Sequence, residues 1–262
     1  MNHGINRRPA PHIPGFTLDS CCGRGGSSEI WLGSDPSGRR RAVRLVSRKR
    51  DRNLLEMERE ALSLYRAAGD HRHLLKILDS GETADYLYCI MEPADNFLHS
   101  PEYEPDTLAK RLRYRKNNWP DIVNDLEAIA SGVEQLHNRN MVHGDLHPGN
   151  ILFVNGILKI ADPGLVSKMD SLPRGGTAGF RPPWKATGME CDIYALGKLI
   201  YLMCTHEPPE HFPDIPHNCD FADFFPLNEI ALCCCEREAR SRFHHISEVR
   251  RELAGARRFY QS

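Results

Sequence analysis

The chain has 262 residues, 40% hydrophobic and 26% charged, which excludes a disordered or collagen-like chain and leaves room for a substantial core. Lys and Arg number 34 against 35 Asp and Glu, a formal net charge of −1, so no global field steers the protein to nucleic acid or an anionic membrane. Nine cysteines without a C-x-x-C pair exclude a secreted disulfide framework and a zinc spacing; with no signal-peptide core and no run of 18 apolar residues, the expectation is a cytoplasmic protein with no membrane segment.

Residues 1–14 carry Pro9, Pro11 and Pro14 with little periodicity and read as a flexible leader. Strand-like runs follow at Phe16–Leu18, Ile30–Leu32 and Ala42–Val46, separated by a glycine-rich stretch over 23–28 and a Pro36-Ser37-Gly38 turn. Leu54, Met57, Ala61, Leu64 and Ala68 have helical spacing and predict a helix over 53–68. Leu74 to Met91 predicts two more strands around an Asp79-Ser80-Gly81 turn. After a polar segment over 93–106 the character turns helical. Asp121–Leu136 is a long amphipathic run with an acidic start that suits the helix dipole, and helical patterns return at 191–204 and 244–254. The layout is a small strand-rich lobe over 15–92 and a larger helical one over 93–262, joined near Glu92–Asp95.

The chemistry concentrates in residues 141–165, MVHGDLHPGNILFVNGILKIADPGL. Asp145 is followed five positions later by Asn150 and seventeen later by Asp162, with two short apolar runs between them that a hairpin would pair. An Asn amide and a carboxylate are oxygen donors suited to Mg²⁺, and a further carboxylate can orient a hydroxyl nucleophile. Each residue alone is an ordinary turn former; the joint spacing is not.

This string resembles the catalytic core of eukaryotic-type protein kinases, and the likeness runs from about Phe16 to Leu253. His143-Gly144-Asp145 and Asn150 match the catalytic loop, and Asp162-Pro163-Gly164 matches the metal-binding tripeptide. The resemblance implies an α+β, two-lobed protein-kinase-like fold, with a small antiparallel-sheet N-lobe carrying one main helix and a larger helical C-lobe. It implies Asp145 as the base for a substrate hydroxyl, with Asn150 and Asp162 holding Mg²⁺ on the phosphates of ATP. His147 stands where the family has a lysine near the transferred phosphate. Gly23 and Gly25 resemble the phosphate-covering loop, with Ser28 in place of a third glycine. Ile30, Ala42 and Leu152 would sandwich the purine, while Glu92 and Ala94 belong to the hinge after Met91. Arg44 occupies the position of the phosphate-pairing lysine, and Glu60 that of its glutamate partner. Downstream, residues 176–183 resemble the end of the activation segment, and Asp192 the carboxylate that holds the catalytic loop.

The implied function is MgATP-dependent transfer of the γ-phosphoryl group to Ser or Thr of a protein substrate, and the short chain with its Ala195–Lys198 helix points to bacterial members. Several departures bear on it. Arg44 keeps the charge of the expected lysine but is a wider planar fork. Gly144 replaces an arginine that would read a phosphorylated segment, Pro163 replaces a phenylalanine, and Trp184 replaces the glutamate that would pair with Arg242. Two alternatives therefore stand beside the kinase reading: a pseudokinase serving as nucleotide-binding or scaffold module, favoured by Arg44, and a small-molecule phosphotransferase of the aminoglycoside or choline kinase kind, favoured by the His143–Asn150 string. The basic stretch 39–52 and the cluster Lys110–Lys116 beside Trp119 read as solvated charge, not as a nucleic-acid surface.

Overall fold

The computed structural model describes residues 10–26, 28–49, 51–99, 102–114, 118–217 and 219–260. Its first part is a five-stranded antiparallel sheet of β1 (Thr17–Arg24), β2 (Ser28–Ser34), β3 (Arg40–Ser47), β4 (Ile77–Glu82) and β5 (Tyr86–Met91), in the order β1-β2-β3-β5-β4. Between β3 and β4 runs helix α1 (Arg52–Ala67), started by the Asp51 side chain, which accepts from the Asn53 N–H.

The two-residue period of a strand sorts β3 cleanly. Val43 and Leu45 face outward with Trp31 and Ile90, while Ala42 packs on the opposite face with Leu75, Met91, Val154 and Ala161. The outward apolar face needs a cover, and Ile13 supplies it: the residue is fully buried and bridges to Phe16. Ile13, which the sequence reading places in a flexible leader, is thus part of the sheet's packing; residues 1–9 lie outside the described part.

Asp79-Ser80-Gly81 does not turn. These residues lie within β4, an edge strand that tolerates poor strand formers, and the chain reverses at 83–85, where the Thr83 hydroxyl accepts from the N–H groups of Asp85 and Tyr86.

The second part holds α2 (Leu108–Tyr114), α3 (Trp119–His137), β6 (Met141–Val142), β7 (Ile151–Val154), β8 (Ile157–Ile160), β9 (Ser167–Lys168), α4 (Gly188–Thr205), α5 (Phe221–Cys235) and α6 (Ile246–Phe259). Strands β7 and β8 form a tight hairpin over Asn155-Gly156, both with positive φ, and β6 pairs with β9. Helix α4 is buried on nearly every side, with Ile193, Leu196, Leu199, Ile200 and Met203 in the core. It starts at a capping box between Thr187 and Glu190.

Apart from the buried Arg44, several residues of the basic stretches pair with nearby carboxylates. Arg40 meets Asp19, Arg41 meets Asp35, Arg48 meets Glu82, Lys110 meets Glu104 and Arg111 meets Asp106; Arg50, Arg115 and Lys116 lie outside the described residues. Trp119 stacks on Tyr260 at a 5.7 Å centroid distance and a 7° interplanar angle, so it is no platform for bases. Among the described residues no helix is long and apolar enough to cross a membrane, and all nine cysteines are free thiols.

On α3, burial pushes the carboxyl of Asp125 up to about 6. A carboxyl whose pKa is raised on folding costs stability once pH exceeds its unfolded value, and the full cost applies above the folded one. Asp125→Asn is therefore expected to stabilise the protein by about 1–2 kcal/mol at pH 7, a gain that shrinks below pH 6 and vanishes near pH 4. Urea melts at three pH values check it.

Candidate active site

The catalytic loop is held by one buried carboxylate. Asp192, on α4, accepts from the backbone N–H of His143 (2.8 Å), from that of Gly144 (2.8 Å) and from His137 Nε2 (2.9 Å). Burial alone would raise its pKa; the hydrogen bond and charge of His137 and the Gly144 N–H prevail and hold it below the usual carboxylate range. His143 is fully buried and donates from Nε2 to the Ala161 carbonyl at 2.9 Å, tying the loop to the far end of the hairpin.

On that frame sit the three polar residues singled out above. Asn150 Nδ2 donates to the Asp145 carbonyl (3.0 Å) and lies 3.3 Å from Asp145 Oδ2. Asp145 Oδ1 accepts from the backbone N–H (2.8 Å) and the hydroxyl (2.7 Å) of Thr177. His147 turns inward: its Nδ1 accepts from Gly149 N–H at 3.1 Å, and Nε2 stands 3.7 Å from Asp145 Oδ2. Burial lowers the pKa of this imidazole, so it is a neutral group at pH 7, unlike the lysine it replaces.

Asp162 takes a left-handed backbone (φ 60°) just after β8, and its Oδ1 accepts from Gly164 N–H at 3.1 Å. The same oxygen lies 3.2 Å from Arg44 Nε. The Arg44 guanidinium, only 6% exposed, bonds Glu58 through two parallel contacts of 2.8 and 3.1 Å. Arginine suits this place because its fork matches a carboxylate edge. Room for the fork comes from Gly164, where an added Cβ would come within 2.6 Å of Arg44 Nη2, and from Pro163, which lines a tight space beside Arg44 and Glu58.

The partner of Arg44 is thus Glu58, and Glu60 is not at the cleft. Helix α1 turns about 100° per residue, so positions 58 and 60 are about 200° apart. The buried face reads Leu55, Glu58, Ala61, Leu62 and Tyr65; Glu60 is exposed and pairs with Arg174. Arg242 also finds a carboxylate: it pairs with Glu190, and its guanidinium lies over the Trp184 ring at 5.4 Å, so the acid has moved from position 184 to the first turn of α4.

Between the two lobes opens a largely apolar cleft of about 300 Å³. Of the residues singled out by the resemblance, Gly23, Ile30, Ala42, Arg44, Glu92, Ala94, Asn150, Leu152 and Asp162 line it, joined by Cys22, Met91, Tyr103, Thr107 and Lys110. Gly25 sits in the β1–β2 turn, its N–H bonded to the Ser28 carbonyl at 2.8 Å, and is not among the lining residues. Burial pushes the Cys22 thiol up to about 11, so it is a wall and not a nucleophile. Behind the hinge, Glu92 accepts from Lys159 at 2.6 Å and from the Lys76 N–H at 2.8 Å. Sequence reasoning missed Glu58, Thr177 and Tyr103. Glu58 lies on a face of α1 that packing against the sheet selects, and the other two reach the site from loops whose path no local pattern records.

Residues 16–254 match the model of the protein kinase domain family. Among curated proteins, the chain is similar to the serine/threonine-protein kinase drp72 of Corynebacterium efficiens, 29% identical over 75% of this chain and 40% of that protein. It is likewise 29% identical to the serine/threonine-protein kinase PknA of Corynebacterium glutamicum, over 74% of this chain and 44% of that one. Calcium-dependent protein kinase 5 of Plasmodium falciparum is 25% identical over 67% of this chain and 31% of its own length. The chain spans less than half the length of each of these relatives.

Proposed function

The chain belongs to the protein kinase domain family, and from that premise we propose that it transfers the γ-phosphoryl group of ATP to Ser or Thr hydroxyls of a protein substrate. The observation that carries this reading is the convergence of Asp145, Asn150 and Asp162 at the edge of an apolar interlobe cleft that Arg44 also lines.

The cleft has the size and lining of a site for a flat heteroaromatic ring, with Ile30 and Ala42 from the sheet and Leu152 from the hairpin. Arg44 Nε makes no aligned hydrogen bond, although Asp162 Oδ1 stands 3.2 Å away, and the charge of its guanidinium, on a side chain that lines the cleft, fits a phosphate oxygen. Asn150 and Asp162 fit a magnesium ion for a stated reason. The Asn150 amide donates through Nδ2 to Asp145, which directs its oxygen away from that residue, and the Asp162 side chain is 39% exposed. Among the described residues no three His, Cys, Asp or Glu converge on a metal position, so phosphate oxygens and water would complete the shell, the usual arrangement for this ion. Bound there, the ion supplies neutralisation of phosphate charge.

Asp145 is the proposed base. Thr177 fixes Oδ1 and leaves lone pairs on Oδ2 to accept a hydroxyl proton. The free thiols fit a reducing compartment.

A thermal-shift titration with ATP, with and without Mg²⁺, tests the reading. At ATP about 100-fold above Kd the expected stabilisation is about 2.7 kcal/mol, and it should depend on Mg²⁺. No shift at millimolar MgATP would favour a scaffold without nucleotide. Binding followed by transfer to small alcohols but not to peptides would favour a small-molecule phosphotransferase.

A further inference from the structure

Glu60, displaced from the cleft, has a different task. We propose that Arg174 is a positioning residue: through Glu60 and the Met57 carbonyl it fastens α1, and with it the Arg44–Glu58 pair, to the segment that holds Asp145. The consequence for catalysis rests on the kinase reading above; the tether itself does not.

Arg174 comes from the loop between β9 and α4, 114 positions from Glu60 in the chain. Its side chain is 13% exposed. One end of the guanidinium pairs with Glu60, and Nη1 donates to the Met57 carbonyl at 3.2 Å. That carbonyl lies inside α1, where a helical oxygen keeps a second lone pair for such a bond. The two acceptors flank Glu58 in sequence, so the grip falls on the same turn of α1 that presents the carboxylate to Arg44.

Only Gly175 and Gly176 separate Arg174 from Thr177, whose N–H and hydroxyl both bond Asp145 Oδ1. A four-residue strap therefore runs from the small-lobe helix to the proposed base, anchored by paired hydrogen bonds at each end. The strap is made of unmodified side chains, so the position of α1 needs no added charge on this segment. Two glycines in its middle carry no side chains that would lever the anchors apart. Loss of the Arg174 grip frees one end, and α1 with Glu58 is then held to this segment by packing alone.

A double-mutant cycle of Arg174→Gln and Glu60→Gln on the full chain tests this, with hydrogen exchange of the α1 amides as the first readout and steady-state kinetics as the second. Each single variant is expected to speed α1 exchange by about fivefold, the worth of a partly buried ion pair, and the double variant to add little to either. The KM for ATP should rise by a similar factor in both, since Arg44 loses its fixed place. Unchanged α1 exchange in Arg174→Gln, or fully additive effects, would overturn the tether. Exchange needs no activity, so an inactive wild type would sink the kinase reading while leaving this arm decisive. Faster exchange with an unmoved KM in an active enzyme would overturn the positioning role.

Discussion

Asp145→Asn is expected to lower phosphoryl transfer by roughly 10²–10⁴-fold, the worth of a positioned general base, while MgATP binding stays near wild type. The asymmetry follows from where the residue sits. Asp145 is bonded to Asn150 and Thr177 but is not among the residues lining the interlobe cleft, so the nucleotide does not depend on its charge for a wall. Asparagine preserves an oxygen for the two Thr177 donors and removes the acceptor that takes the hydroxyl proton. Single-turnover transfer from labelled ATP, paired with a thermal shift on the same preparation, separates the two effects. Transfer within a few-fold of wild type would show that another group takes the proton, and His147, with Nε2 3.7 Å from Asp145 Oδ2, would be the first to examine.

Arg44→Ala has the largest expected effect on stability. The guanidinium is buried and contacts Glu58 and Asp162, and its removal leaves the buried Glu58 carboxylate without a cation. Breaking a buried pair from one side costs about 3–5 kcal/mol, because the remaining charge keeps its desolvation penalty. A urea melt at pH 7 measures it, and on the proposed role of Arg44 at the phosphates ATP affinity should fall by at least about tenfold. Arg44→Lys should fall between the two. It restores the charge but cannot reproduce two parallel bonds to Glu58 together with the approach to Asp162. A Lys variant as stable as wild type would show that the fork geometry built by Gly164 and Pro163 contributes nothing.

The family, the two-part layout and the polar triad were legible in the chain because each is carried by short-range order. Asp145 and Asn150 lie within one loop, and the β7–β8 hairpin that returns the chain to Asp162 announces itself through Asn155-Gly156. Ile30, Ala42 and Leu152 came from the family resemblance, and all three line the cleft. The helix over 53–68 was also legible as a helix, and α1 occupies Arg52–Ala67.

Its phase was not. Leu54, Met57, Ala61, Leu64 and Ala68 suggest one apolar stripe, but Leu54 is exposed, and the sheet packed against α1 selects the face of Leu55, Glu58, Ala61, Leu62 and Tyr65, which brings Glu58 to Arg44 and sends Glu60 to solvent. The same holds for Ile13, whose burial depends on the bare outer face of a sheet formed from residues up to 78 positions away. Composition, charge and the catalytic spacings were thus determined by the sequence alone. Which carboxylate meets Arg44, what Arg242 pairs with, and how Thr177 and Arg174 reach Asp145 and α1 were decided by tertiary structure, because ion pairs between distant segments follow from which faces are buried together and leave no periodic trace in the chain.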